Sequence, residues 1–290
     1  MTNRLFCFGL GYSARALAEA LRAEGYAVAG TARSEETAAA LRRQGFEVHV
    51  FSREHPLRDA AKVLAGTTHL LNSVPPDEAG DPVVECHGMD IVALAAGLRW
   101  AGYLSTTGVY GDRGGAWVDE DSALAPTTER GRRRAAAEAQ WLDLWWDNGL
   151  PVHVFRLASI YGPGRNALEE IESGRAKRVV KQGQVFSRIH VADIAAVLRA
   201  SMARPNPGRV YNVCDDAPAP PQEVVAFAAA LLGRDPPPEI PFEKAELSEM
   251  GKSFYAENKR VRNARIKSEL GVTLSYPDYH AGLRALLGSR

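Results

Sequence analysis

The sequence predicts an α/β protein: a doubly wound parallel sheet with helices on both faces, and a smaller C-terminal α/β region after it. Three observations predict this. A glycine-rich turn joins the first apolar run to the first helical pattern. Short apolar runs then alternate with longer stretches of helical spacing, the pattern of βαβ units. Beyond residue 160 the texture changes, with Pro205, Pro207, Pro218, Pro220, Pro221 and Pro236 to Pro238. Prolines are excluded from sheet and helix interiors, so a loop-rich, partly helical region follows.

The elements follow in order. Arg4 to Phe8 reads as a strand, and Ser13 to Glu24 as a helix with Ala16, Leu17, Ala20 and Leu21 at helical spacing. Gly25 closes that helix. Ala27 to Thr31 is the second strand, Glu36 to Gln44 the second helix, and Glu47 to Phe51 the third strand. Thr68 to Asn72, Trp100 to Ser105 and Pro151 to Leu157 supply strands four to six, with a helix over Arg132 to Asp147 before the sixth. Val210 to Val213 is a strand returning to the sheet. This divides the chain into residues 1–162, completed by about 187–213, and an interleaved smaller region, residues 163–290.

Composition excludes several classes. The 290 residues are 46% apolar and 24% charged, enough to bury a sizeable core. Lys plus Arg and Asp plus Glu are both 35, so the formal charge is zero and neither nucleic acid nor an anionic membrane is an expected partner. Cys7, Cys86 and Cys214 are far apart and the histidines are scattered, so neither a disulfide framework nor a metal site is expected. The chain has no apolar run of membrane length and no signal-peptide pattern, so a cytoplasmic protein is expected. Lysine is scarce: none falls between Lys62 and Lys177.

The turn itself is Phe8-Gly9-Leu10-Gly11-Tyr12-Ser13-Ala14, a GxGxxA pattern between a strand and a helix. Gly9 permits the tight turn, Gly11 lets backbone approach a pyrophosphate, and small Ala14 lets the helix pack close to the strand. The anion would sit on the helix N-terminus. A site for NAD usually ends strand two with an acidic residue for the ribose 2′-hydroxyl. This strand ends Thr31-Ala32-Arg33-Ser34, where a guanidinium and a hydroxyl suit a 2′-phosphate. NADP(H) is therefore favoured. NAD(H) stays open as the alternative, with Arg33 in water and Glu35 or Glu36 facing the ribose.

Three further stretches, Leu104-Ser105-Thr106-Thr107-Gly108-Val109-Tyr110-Gly111, Arg156 to Gly164 and Arg188 to Ile194, join the glycine turn in a consistent order. Together they resemble the extended short-chain dehydrogenases/reductases, the NAD-dependent epimerase/dehydratase group. The resemblance implies a Rossmann domain with a split C-terminal substrate region and a small-molecule substrate. It places Asn72, Ser73 and Val74 beside the cofactor's ribose and phosphates, with Ser105, Ala158 and Ile160 also against the cofactor. Thr107, Ser159 and Arg188 fall against the substrate.

The family's chemistry uses a Ser or Thr at the strand-five end, here Thr106, and a Tyr-x-x-x-Lys at the start of the next helix. That tyrosine moves the proton, and the lysine lowers its pKa and holds the ribose. Arg130 stands at the tyrosine position and Arg134 at the lysine position. Sliding the alignment does not help, because no tyrosine lies between Tyr110 and Tyr161. An arginine stays protonated and cannot act as the acid/base. The combination resembles the atypical subgroups of the superfamily.

Arg130 and Arg134, four apart on one helix face, are candidates to bind an anion, and Arg134 could replace the lysine as a ribose donor. Arg132 and Arg133 are expected in solvent, compensated by Glu129 and Glu138. Tyr110 and Tyr161 are the nearest remaining phenols for an altered mechanism. His190 and Asp193 read as structural, and Lys259-Arg260-Val261-Arg262 as a solvated face flanking a late strand. Trp141, Trp145 and Trp146 read as core or a subunit interface, leaving a homodimer open. The expected activity is that of an NADP(H)-binding oxidoreductase or epimerase-like enzyme with an unusual acid/base. The alternative is a cofactor-binding redox sensor or regulatory scaffold without turnover.

Overall fold

The structure, a computed structural model, describes residues 3–289. Seven strands form one parallel sheet: β1 (Arg4–Phe8), β2 (Ala27–Ala32), β3 (Glu47–Val50), β4 (His69–Asn72), β5 (Trp100–Thr106), β6 (Val152–Leu157) and β7 (Val210–Val213). Their order is β7-β6-β5-β4-β1-β2-β3. The winding direction reverses between β1 and β4. In open α/β sheets, ligands bind outside the C-terminal strand ends at such a switch point.

Burial on both faces explains the apolar strand runs. Leu5, Phe6, Cys7 and Phe8 are all fully buried, and so is every residue of β6 apart from slight exposure at its end. One face is covered by α1 (Tyr12–Ala23) and by the helix Val191–Ala203, whose Leu17, Leu21, Ile194 and Leu198 share a core. The other is covered by α3 (Ala60–Leu64), α4 (Pro82–Val92) and α5 (Glu129–Asn148), through Leu64, Val83, Ile91 and Trp141.

Two differences from the sequence reading have plain local causes. Helix α5 begins at Glu129, earlier than its apolar spacing suggests, because the Thr128 hydroxyl accepts a hydrogen bond from Gly131 N (3.1 Å) and caps it. Helix α4 fills the stretch between strands four and five, capped by Asp81 with Pro82 in its first turn.

The chain beyond residue 162 is more regular than its prolines suggest, because they fall at element ends. Pro221 opens the helix Pro221–Leu231, which packs with Ala167–Glu172 and Tyr279–Gly288 around Leu168, Val225 and Leu283. Three short parallel pairs complete it, among them Trp117–Val118 with Arg260–Val261. Ile266, Leu270 and Leu274 join the first face's core, so this half of the chain also builds the sheet's packing.

Candidate functional site

The glycine turn is built by backbone demands that only small residues meet. Gly9 has φ +80°, and a Cβ there would sit 2.9 Å from Ser73 Oγ. Its neighbours lock the turn onto adjacent strands. Gly9 N donates to Thr31 Oγ1 (2.8 Å), Leu10 N to Thr31 O (2.7 Å), and Ser73 Oγ to Gly9 O (2.5 Å). Ala14 is fully buried beneath. Gly11 differs: a Cβ built there meets no atom within 4 Å, and it begins α1 without any side-chain cap. The first-turn N–H groups of α1 are thus turned to open space at the switch point, the arrangement that holds a pyrophosphate.

At the end of β2, Arg33 is exposed and, among the described residues, has no hydrogen-bond or ion-pair partner. Ser34 caps α2 (Glu35–Arg43), accepting from Thr37 N (3.3 Å). Glu35 is engaged by Arg42.

A cleft of about 400 Å³ runs from this turn across the ends of β5 and β6. Of the residues picked out from sequence, it brings together Gly11, Tyr12, Ser13 and Ser73 on one side. Ser105, Thr106, Thr107, Arg130 and Arg134 meet them from the β5–α5 side, and Ala158, Ser159 and Ile160 from the end of β6. Arg134 Nη1 donates to Leu104 O (2.6 Å) and Tyr103 Oη (3.3 Å), so α5 is pinned to β5 at the cleft wall. Arg130 packs its guanidinium 4.5 Å from the Phe254 ring centre. Burial beside that ring, against the opposing pull of Glu257, lowers its pKa somewhat from the ordinary arginine range.

Other predicted residues lie elsewhere. Tyr110 is fully buried behind the cleft, donating to Asn212 Oδ1 (2.7 Å) and accepting from Arg156 Nη1 (2.9 Å); burial pushes its phenol up to about 12. Tyr161 packs in the C-terminal cluster against His190, and burial raises its pKa strongly. Neither phenol faces the cleft. Arg188 stands behind the wall, holding Phe186 O (2.9 Å) and Ala219 O (3.0 Å). Asn72 is fully buried, tying Asp81 to Val74 N, and Val74 packs against the Gly9 turn.

Glu138 does not compensate the helix arginines. It is buried under β5 and β6, accepting from Arg156 Nη2 (2.8 Å) and from Ser105 Oγ, while Glu129 alone pairs with Arg132 and Arg133 at the surface. Asp193 accepts from Ser275 N and Tyr276 N, and His190 caps its own helix. Trp141 is core, stacked on Tyr103, whereas Trp146 is 77% exposed.

Arg165 and Glu257, which the sequence does not single out, also line the cleft, and Lys259, expected on a solvated face, is buried there instead. The guanidinium of Arg165, beside Tyr12, has no hydrogen-bond or ion-pair partner among the described residues. Lys259 and Glu257, buried, line the opposite wall: Lys259 Nζ lies 2.6 Å from Glu257 Oε2 and donates to Gly111 O (2.9 Å). The Thr127 hydroxyl donates to Glu257 Oε1 (2.9 Å). Burial pulls the lysine's pKa below its usual range, partly offset by Glu257. The only sequence hint was the one-residue spacing of Glu257 and Lys259, which puts both on one side of extended chain.

The sequence model of the NAD dependent epimerase/dehydratase family matches residues 9–214. The chain belongs to that family. The chain is 29% identical to protein YeeZ of Escherichia coli K12 over 281 residues, covering 93% of this chain and 95% of YeeZ. A conserved protein of unknown function from Silicibacter pomeroyi is 54% identical and superposes with a TM-score of 0.90 over 99% of both chains. The dTDP-glucose 4,6-dehydratase of Bacillus anthracis, solved in complex with NAD, superposes with a TM-score of 0.75 at 17% identity, covering 99% of this chain and 96% of that one, a likeness of fold. The family match covers the glycine turn, β5 and the start of α5. It ends before Glu257 and Lys259, so in this family member they enter the cleft from outside the matched segment. Among the described residues no helix is long and apolar enough to cross a membrane.

Proposed function

We propose that the chain is an NADP(H)-binding oxidoreductase or epimerase-like enzyme acting on a small molecule, with a proton-handling group other than the superfamily's tyrosine. The observation that carries this is the uncapped α1 N-terminus opening into the same cleft as Thr106. Gly11, Tyr12 and Ser13 would hold the pyrophosphate, and Arg33 the 2′-phosphate, since Glu35 is already engaged by Arg42. When bound, the nicotinamide gives or takes a hydride. Thr106 then has its hydroxyl at the β5 end, fixed by accepting from Gly108 N (3.2 Å), where it can hydrogen-bond a substrate oxygen. Arg134 serves as a donor on the cofactor's side in place of lysine, and Arg130 with Phe254 favours an anionic substrate bearing an apolar part.

The protein is read as cytoplasmic, on its unpaired cysteines. The test is NADPH fluorescence during titration, then NADPH oxidation across a panel of carbonyl compounds, carboxylates included. Binding with oxidation of at least one of them is expected. Binding without oxidation anywhere would instead favour a redox sensor, and no binding would end both readings.

A further inference from the structure

We propose that Lys259 is the catalytic proton donor and acceptor of the cleft, positioned by Glu257, in place of the missing tyrosine; this rests on the reading above. Lys259 directly precedes the paired segment Arg260–Val261 and lines the cleft on the same side as Thr106 and Arg130. A point one bond above Gly108 Cα lies 3.5 Å from Thr106 Oγ1 and 3.9 Å from Glu257 Oε2, so the hydroxyl and the ion pair border the same small space. An ammonium has three N–H donors. Two go to Glu257 Oε2 and Gly111 O, and among the described residues the third has no partner. Glu257 is itself anchored by the hydroxyls of Thr127 and Thr128 (2.9 and 3.4 Å), so the amine sits in one geometry.

Beside the cleft's arginines, this is its one lysine amine among the described residues, and unlike a guanidinium an amine can lose its proton. The charged groups acting on it are Glu257 on its own segment and Asp112 and Arg113 from the turn after β5, and Arg130 and Arg134 of α5 line the same cleft. Burial favours its neutral form, against the opposing pull of Glu257.

As the substrate's carbonyl carbon gains a hydride from the reduced nicotinamide dinucleotide, Lys259 Nζ gives one proton to the carbonyl oxygen. An N–H bond breaks, an O–H bond forms, and an alcohol results. Lys259 is left as the neutral amine and recovers a proton from water. In the reverse direction the neutral amine takes the hydroxyl proton. Glu257 takes no proton; it holds Nζ and keeps the ammonium form accessible.

The experiment is trace acetylation of the native protein with acetic anhydride across pH, read peptide by peptide. The chain has only seven lysines, so Lys259 is resolved easily. Lys259 is expected to react with a midpoint below those of the other six. Saturating NADPH is expected to slow its reaction about tenfold or more while leaving the others unchanged. In Glu257→Gln, loss of the facing carboxylate is expected to lower the midpoint further. A lysine that reacts only after unfolding, or with the midpoint of the surface lysines, would overturn the proposal, since a purely structural ion pair behaves so. Bound NADPH that gives Lys259 no protection would overturn it as well, with the cofactor reading intact. Failure of NADPH to bind at all would remove the cofactor reading, and with it the role proposed for Lys259.

Discussion

The two sides of the cleft are made in opposite ways. The cofactor side, residues 9 to 14 with Ser73, is local: one strand, one turn and one helix, held to β2 and β4 by backbone and hydroxyl hydrogen bonds. The opposite side is assembled from β5, α5, the end of β6 and the segment around Lys259, well over a hundred residues apart in sequence. The first side obeys a known spacing. The second carries arginines at 130 and 134 and an amine delivered from the far end of the chain. The lesson is that a site built by one turn can be read from local spacing, whereas one assembled from distant segments is visible only in the fold.

The largest effect should fall behind the second side. Glu138→Ala leaves the Arg156 guanidinium buried without its carboxylate and removes the acceptor of Ser105. A loss of about 3–5 kcal/mol is expected in urea unfolding. A loss below about 1 kcal/mol would mean that this pair does not hold β5 and β6 to α5.

Next comes a pair of glycine variants that separates folding from binding on the first side. Gly9→Ala forces a Cβ into φ +80° and against Ser73, and should cost about 1–2 kcal/mol of stability. Gly11→Val should leave stability nearly unchanged, because its Cβ meets nothing within 4 Å, yet weaken dinucleotide binding about tenfold or more. Equal losses of stability in both would break the distinction drawn between them.

A further effect is expected from pH. His153, on β6, is fully buried, and burial pulls its pKa down to about 4. Its Nε2 accepts from Asn206 N (2.8 Å), which requires the neutral ring. The folded pKa lies below the unfolded one, so the contribution is complete above about pH 6.5 and is lost as pH falls towards 4. Thermal midpoints should therefore decline across that window, and His153→Gln should flatten part of the decline. An unchanged slope in the variant would assign the acid sensitivity to other groups, His69 and His190 first.

Much of the fold was legible because it rests on local pattern. The strands read from apolar runs, and the first two helices closed at Gly25 and Gly45, both at positive φ. Helix α4 is signalled only by Asp81-Pro82, a capping residue before a first-turn proline, because its core-facing residues show weak periodicity. The cofactor turn was legible for the same local reason. The rest of the site was not, because its partners meet only through the fold. Nothing near Tyr110 in sequence announces Asn212 or Arg156, whose contacts take it out of the cleft. Glu138 looked like one more helix carboxylate until β6 supplied Arg156. Lys259 looked solvated within a basic run, because only its pairing segment beside Trp117 carries it inside.

The central claim, that the first side is a site for a phosphorylated dinucleotide, is tested most directly by titrating NADPH and NADH into the wild type and Arg33→Ala. NADPH is expected to bind about tenfold or more tightly than NADH, with the difference lost in Arg33→Ala. Equal affinities in the wild type would contradict the role given to Arg33, and no binding of either would contradict the site itself.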